Sequence, residues 1–168
     1  MMTTLVIVES PSKAKTISKY LGSDYIVRAT VGHIVDLYTG KSAGIGVDIE
    51  NGFKPRYADL ADKKDVINSI VSTAKTVDDI VIASDPDREG EAIAFHVYEK
   101  VKNLNKPIKR AEFHEITKIG IKKGLDNSRD LDQNLYDAQQ SRRVLDRIVG
   151  FMVSPHLINK LGDKLSAG

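Results

Sequence analysis

The chain has 168 residues, 41% of them hydrophobic and 29% charged, which leaves room for one domain with a real core and a small appendage. It contains no cysteine, which excludes disulfides, thiolate zinc sites and cysteine nucleophiles. The net charge of +2 hides an asymmetry: residues 1–100 hold 12 Lys and Arg against 15 Asp and Glu, and residues 101–168 hold 13 against 8. An acidic first part joined to a basic second part suggests a metal-type site beside an anion-binding surface. No apolar run approaches the roughly 18 residues that a membrane span needs. The apolar stretch Leu5–Val8 is met at once by Glu9 and is too short for a secretion signal. A cytoplasmic protein is expected.

Leu5-Val6-Ile7-Val8 is the pattern of a strand buried on both faces. Ser10-Pro11 supplies an N-cap and a first-turn proline for a helix to about Leu21, with Ala14, Ile17 and Leu21 on one stripe. Tyr25 to Thr30 reads as a second strand. Residues 31–58 are Gly-rich and polar without a period, and are expected to be irregular and functional. A helix is predicted from Asp59 to about Lys75, then a buried strand at Ile80–Ala83 and a helix from about Glu89 to Lys102. A strand near Arg110–Phe113 follows, and Thr117 caps a short helix to about Leu125. Strands alternating with helices predict an α/β domain with a mainly parallel sheet. After a polar stretch at 127–132 the pattern turns all-helical: Leu135, Ala138, Leu145, Ile148 and Val149 keep helical spacing, and Ser154-Pro155 opens another helix. A domain boundary is placed near 117–130. Leu165-Ser166-Ala167-Gly168 carry no closing pattern, so the chain is expected to stop in mid-element.

The most informative segment is Ser84-Asp85-Pro86-Asp87-Arg88-Glu89-Gly90-Glu91. In an extended chain Asp85, Asp87 and Glu89 face one way, and such close like charges call for a cation. Oxygen ligands without cysteine favour Mg²⁺ or Mn²⁺. The same pattern also suits a solvated acidic loop at a helix N-terminus. Glu9 favours the metal: it follows one buried strand as Asp85 follows another, and ligands of open parallel sheets bind outside the carboxyl ends of strands. If those strands are neighbours, one acid can ligate metal while another carries a proton.

Lys13 sits in the first helical turn, where free backbone N–H groups attract anions; an ordinary solvated lysine fits equally. There is no GxxxxGK[ST] motif, so no nucleoside triphosphatase is inferred. His33 lies just past a strand end in the irregular segment, while His96, His114 and His156 stand in ordinary structural contexts. Gln139 to Arg147 is a basic helix with Arg142 and Asp146 at i, i+4. It reads either as a salt-bridged surface helix or as a phosphate clamp with Asp146 orienting an arginine.

Several ordered motifs carry a resemblance: Val6-Ile7-Val8-Glu9-Ser10-Pro11-Ser12-Lys13-Ala14-Lys15-Thr16-Ile17, Thr30–Ile34, Ser84 through Ala94, Phe113-His114-Glu115-Ile116-Thr117, Ala138–Arg143 through Val153-Ser154-Pro155, and then Leu165–Gly168. The chain resembles the N-terminal part of the type IA DNA topoisomerases, most closely the bacterial members. The resemblance implies a Rossmann-like α/β Toprim domain, with a mainly parallel sheet flanked by helices, at 1–117, and the incomplete start of an α-helical DNA-binding domain at 130–168. Glu9 is then the acid that moves a proton at the 3′-hydroxyl and helps hold metal. Asp85, Asp87 and Glu89 are the Mg²⁺ carboxylates, with Mn²⁺ as a substitute, and Lys13 stabilises the scissile phosphate. His33, Arg142, Arg143, Asp146, Phe151, Ile158, Ser166, Ala167 and Gly168 contact single-stranded DNA. Phe151 stands where a tyrosine is common, so a ring is kept and a hydroxyl lost.

In that family a tyrosine on another domain forms a 5′-phosphotyrosyl bond, and religation needs no ATP. None of Tyr20, Tyr25, Tyr38, Tyr57, Tyr98 and Tyr136 stands in such a context. The resemblance therefore implies a monomeric, nucleoid-associated enzyme, of which this piece is inactive alone. The alternatives are a stand-alone Toprim nuclease or primase-like nucleotidyl transferase using the same carboxylates on two metals, and a non-catalytic module whose acidic loop meets a basic protein.

Overall fold

The computed structural model describes residues 2–40 and 44–161. In chain order the elements are β1 (Thr4–Val8), α1 (Pro11–Tyr20), β2 (Tyr25–Ala29), β3 (Val35–Leu37), β4 (Val47–Asp48), β5 (Lys54–Pro55), β6 (Tyr57–Asp59), α2 (Lys64–Thr76), β7 (Asp79–Ile82), α3 (Arg88–Val101), β8 (Ile108–Arg110), α4 (Lys118–Asp126), α5 (Gln133–Ile148) and α6 (Ser154–Leu161). Short 3₁₀ turns lead into α2 and out of α3, and a π-helical turn, Val149–Val153, joins α5 to α6.

The chain divides into two compact units, residues 1–34 with 59–136, and residues 35–58 with 137–168. This division cuts the sequence differently from the two continuous segments expected from the pattern: 35–58 belong with the second unit, and 118–136 with the first. Pairing between segments some 90 residues apart leaves no local signal in the sequence.

The first unit is a four-stranded parallel sheet in the order β2-β1-β7-β8. β1 is central, with Val6 opposite Val27 on one side and Val81 on the other. Its four residues Leu5 to Val8 are all at most 1% exposed, as a strand covered on both faces requires. Val6 and Val8 close with Ala83, Ala111 and Phe113 on Ile17 of α1 and Ile121 of α4. Leu5 and Ile7 alternate to the other face, where α2 touches β1 and packs beside α3. The α/β class and the parallel, helix-flanked sheet match the sequence expectation.

Three differences have plain causes. Strand β8 runs Ile108–Arg110 rather than Arg110–Phe113, because the residues that pair with Ile80 and Ile82 are Ile108 and Arg110, and Arg110 is buried despite its charge. The helix expected from Asp59 begins only at Lys64, after strand β6. Residues 31–58 are not wholly irregular: β3 pairs with β6 and β4 with β5, strands of two or three residues that are too short to show a period.

In the second unit, Leu37, Val47 and Val144 are buried together, with Ile45, Tyr57 and Ile148 packed against them. Among the described residues no helix is long and apolar enough to cross a membrane.

Candidate functional site

The chain passes from β2 on one side of β1 to β7 on the other, so the strand order reverses between β1 and β7. The carboxyl ends of these two strands form the place where open α/β sheets bind ligands. Glu9 and Asp85 emerge there side by side, and the Glu9 carboxylate (Oε1) accepts the backbone N–H of Asp85. The neighbour condition set by the sequence is met.

Lys13 reaches the same point. Ser10 caps α1, its Oγ accepting the Lys13 N–H at 3.3 Å, and Lys13 Nζ donates to Asp85 Oδ1. Asp87 caps α3, its Oδ1 accepting the N–H of Gly90 at 2.6 Å. Because the helix starts at Arg88, the run from Asp85 to Glu89 is not an extended strand, and the three carboxylates do not all face one way. Glu89 turns to His33, with Oε1 at 2.8 Å from Nε2. Among the described residues no group of three His, Asp or Glu side chains is placed to hold a metal ion.

His33 is presented by a tight turn. Val31 and Gly32 both have positive φ, 58° and 82°, and Gly32 N–H donates to the Glu9 carbonyl at 3.0 Å. A β-branched residue in this region is strained, a feature that concentrates at functional loops.

The acidic loop is held from behind by a buried ion network that the sequence reading missed. Arg110 is fully buried and Glu91 is 1% exposed. Arg110 Nε donates to Glu91 Oε2 at 3.1 Å, Nη1 donates to the Ser84 carbonyl at 2.9 Å, and Nη2 donates to the Asp85 carbonyl at 2.8 Å. Arg129 donates to both Glu91 oxygens, at 2.9 and 3.3 Å, and to Glu112. The Asp132 N–H adds a bond to Glu91 at 2.7 Å. Burial by itself would raise the Glu91 pKa, but Arg129, the Asp132 N–H and Arg110 hold it below the ordinary value. Burial also makes the Arg110 guanidinium easier to deprotonate, opposed by Glu91. The signal for Glu91 was present: a fourth acid two residues beyond Glu89, beside the core residues Ala92, Ile93 and Ala94. Arg110 had no such signal.

Gly90 is a second unforeseen requirement. A Cβ there would lie 2.0 Å from the Asp85 carbonyl oxygen and 2.9 Å from the Asp85 N and C atoms. Only glycine lets α3 come this close to the loop that carries Asp85.

In the second unit, Arg143 donates to Asp36 Oδ1 at 2.7 Å and Arg147 at 3.4 Å. Burial pushes the Asp36 pKa up, but Arg143, the Leu37 N–H and Arg147 bring it net below its ordinary value. Arg142 and Asp146 are 3.8 Å apart and both 71% exposed, a loose pair rather than a clamp. The Arg147 guanidinium lies 5.1 Å over the Phe151 ring, and Phe151 and Ile158 are exposed. Asp36 and Arg147 were not foreseen. Ser166, Ala167 and Gly168 lie outside the described residues.

The family model of the Toprim domain matches residues 4–116. The chain belongs to the Toprim domain family. It is 49% identical over 174 residues to DNA topoisomerase 1 of Streptomyces coelicolor, covering 98% of this chain and 18% of that protein. It is 45% identical over 178 residues to DNA topoisomerase 1 of Synechocystis, covering 99% of this chain and 20% of that protein. Full-length topoisomerase I from Thermotoga maritima has a similar structure, with a TM-score of 0.85 and 44% identity over 98% of this chain and 27% of that one. The chain thus spans about a fifth of the length of the curated relatives it matches. The motif resemblance to the Toprim-containing part of these enzymes agrees with all three comparisons.

For a Toprim domain the donor set fits a hard divalent cation in kind: four carboxylates, no sulfur and a single imidazole at the edge. The contacts of Lys13 with Asp85 and of Asp87 with the helix N-terminus engage one oxygen of each carboxylate.

Proposed function

We propose that this chain is the metal- and DNA-binding part of a type IA DNA topoisomerase. That enzyme would relax negatively supercoiled DNA by transient single-strand cleavage and ATP-independent religation. On this reading residues 1–117 are the Toprim domain, and 130–168 begin the helical DNA-binding domain. The cleaving tyrosine belongs to another part of the enzyme, and this piece alone does not cleave. It works as a monomer in the cytoplasm at the nucleoid. The observation that carries the reading is the meeting of Glu9, Asp85 and Lys13 at the reversal point of a Toprim sheet.

The roles are those that the family resemblance implies for these positions. Asp85, Asp87 and Glu89, with Glu9, are the groups that would hold Mg²⁺ or Mn²⁺. The bound cation supplies positive charge that orients and neutralises a backbone phosphate. Glu9, fixed by the Asp85 N–H, receives or returns the proton of the 3′-oxygen. Lys13, at a helix N-terminus, stabilises the charge on the scissile phosphate. His33 is turned toward the site by the strained Val31-Gly32 turn and meets the single strand with its imidazole. Arg142 is free to reach a phosphate, Asp36 orients Arg143, and Phe151 offers a stacking ring supported by Arg147.

The test is a chimera in which this chain replaces the matching segment of the Streptomyces coelicolor enzyme. Relaxation of supercoiled plasmid with Mg²⁺ is expected from the chimera, and not from this chain alone. It should be lost in Asp85→Asn/Asp87→Asn. Relaxation or metal-dependent nicking by the isolated chain would refute the reading and favour a stand-alone nuclease.

A further inference from the structure

The two faces of the Toprim sheet differ in charge. α2 and α3 carry Lys64, Lys75, Arg88 and Lys100 against Asp65, Glu89, Glu91 and Glu99, a balanced set. α1 and α4 carry six lysines against one acid, Asp126. Lys13 pairs with Asp85. Among the described residues the other five, Lys15, Lys19, Lys118, Lys122 and Lys123, are exposed and form no ion pair. Elsewhere lysines often find partners, as Lys100 does with Asp59, Lys102 with Glu99 and Lys109 with Asp130.

The five are ordered rather than scattered. Lys15 and Lys19 are i, i+4 on α1, and Lys118 and Lys122 are i, i+4 on α4, so each pair forms one stripe along its helix, about 6 Å long. The helices pack together over Ile17 and Ile121, and packed helices lie roughly 8–10 Å apart. Two positive stripes on neighbouring helices offer two rows of ammonium groups, and a duplex presents two rows of phosphates, one on either side of each groove. A single strand offers only one row. The face is also continuous with the candidate site: α1 starts just after its Ser10 cap, sends Lys13 to Asp85 and carries Lys15 and Lys19 away from it.

We infer that the α1–α4 face binds the phosphate backbone of double-stranded DNA next to the single strand held at the cleavage site. This rests on the DNA-processing function proposed above. The contact is sequence-independent, because lysine ammonium groups on phosphates read no bases.

The test compares two charge-matched variants of this chain, Lys19→Gln/Lys118→Gln/Lys122→Gln on the face, and Lys54→Gln/Lys64→Gln/Lys75→Gln elsewhere. Probes are a fluorescein-labelled 20-base-pair duplex and a 20-nucleotide oligo-dT, titrated from 20 to 200 mM salt. The face variant is expected to lose at least tenfold in duplex affinity at 100 mM salt. Its log K against log salt slope should flatten by about 2–3, near 0.9 for each lost phosphate contact. Oligo-dT binding should change less than threefold, as should both probes with the control variant. Equal losses in the two variants, or unchanged duplex binding by the face variant, would overturn the inference while leaving the proposed function standing. Binding of poly-glutamate that depends on these lysines, with duplex binding unaffected, would overturn it in favour of an acidic protein. Failure of the unaltered chain to bind either probe at 20 mM salt would overturn both readings together.

Discussion

Replacing Glu91 with alanine strikes the network that supports the acidic loop. The substitution removes an acceptor that holds Arg110 at 3.1 Å, Arg129 at 2.9 and 3.3 Å and the Asp132 N–H at 2.7 Å. Arg110 stays fully buried with its counter-charge gone. Removing one member of a buried ion pair costs about 3–5 kcal/mol. The carbonyls of Ser84 and Asp85 remain bonded to Arg110, and Arg129 is 35% exposed and can rehydrate, so the lower end, about 3 kcal/mol, is expected. For a chain of this size that is a fall of roughly 6–12 °C in Tm. Thermal unfolding by circular dichroism measures it. Glu91→Ala/Arg110→Met should cost less than the sum of the single variants by about 2 kcal/mol or more, because the double change removes both charges. A Tm within 2 °C of the parent, or strictly additive losses, would refute the claim that these two charges depend on each other.

Gly90→Ala should destabilise the chain by about 1–3 kcal/mol, although alanine is the better helix former by about 1 kcal/mol. The added methyl would meet the Asp85 backbone rather than a flexible side chain; a raised Tm in a thermal melt would contradict this. Glu91 and Asp36 hold their protons less tightly in the folded state. Their stabilisation is therefore complete above the ordinary carboxylate pKa of about 4–4.5 and is lost as pH falls through the lower folded values. The urea midpoint should stay level from pH 7 to about 5 and drop below that, less steeply in Glu91→Gln; equal slopes would count against the assignment. Lys13→Gln removes a positive group from Asp85, so half-saturation with Mn²⁺, followed by electron paramagnetic resonance, should occur at a concentration about two- to fivefold lower, as expected for a partly exposed pair. A higher concentration would place Lys13 outside the cation's field.

Much of the first unit was legible because its signals are local. Leu5–Val8 and Ile80–Ala83 are apolar runs with acids at their ends, and Ser10 and Thr117 are caps read directly from residue type. The placement of Glu9 beside Asp85 followed once β1 and β7 were neighbours. What was hidden depends on distance along the chain. Arg110 reads as a solvated strand end, and only the approach of Glu91, 19 residues away, makes its burial tolerable. The alternation of Asp85, Asp87 and Glu89 reads as one extended face, but Asp87 capping α3 ends that extension at Arg88. The second unit was read only in part, because its short strands pair far from the α5 helix they pack on, and the π-helical turn at Val149–Val153 continues an ordinary apolar helical spacing. Arg143 was chosen for its charge, whereas its orientation depends on Asp36, 107 residues away.

The proposed divalent-cation site comprises Glu9, Asp85, Asp87 and Glu89 at the β1–β7 reversal point. Its most direct test is a Mg²⁺ titration of the isotopically labelled chain followed by backbone amide NMR. Saturable shifts are expected at Glu9 to Lys13 and Ser84 to Gly90, absent from the Asp85→Asn/Asp87→Asn variant. Shifts spread evenly over the acidic surface, or none by about 20 mM Mg²⁺, would contradict it.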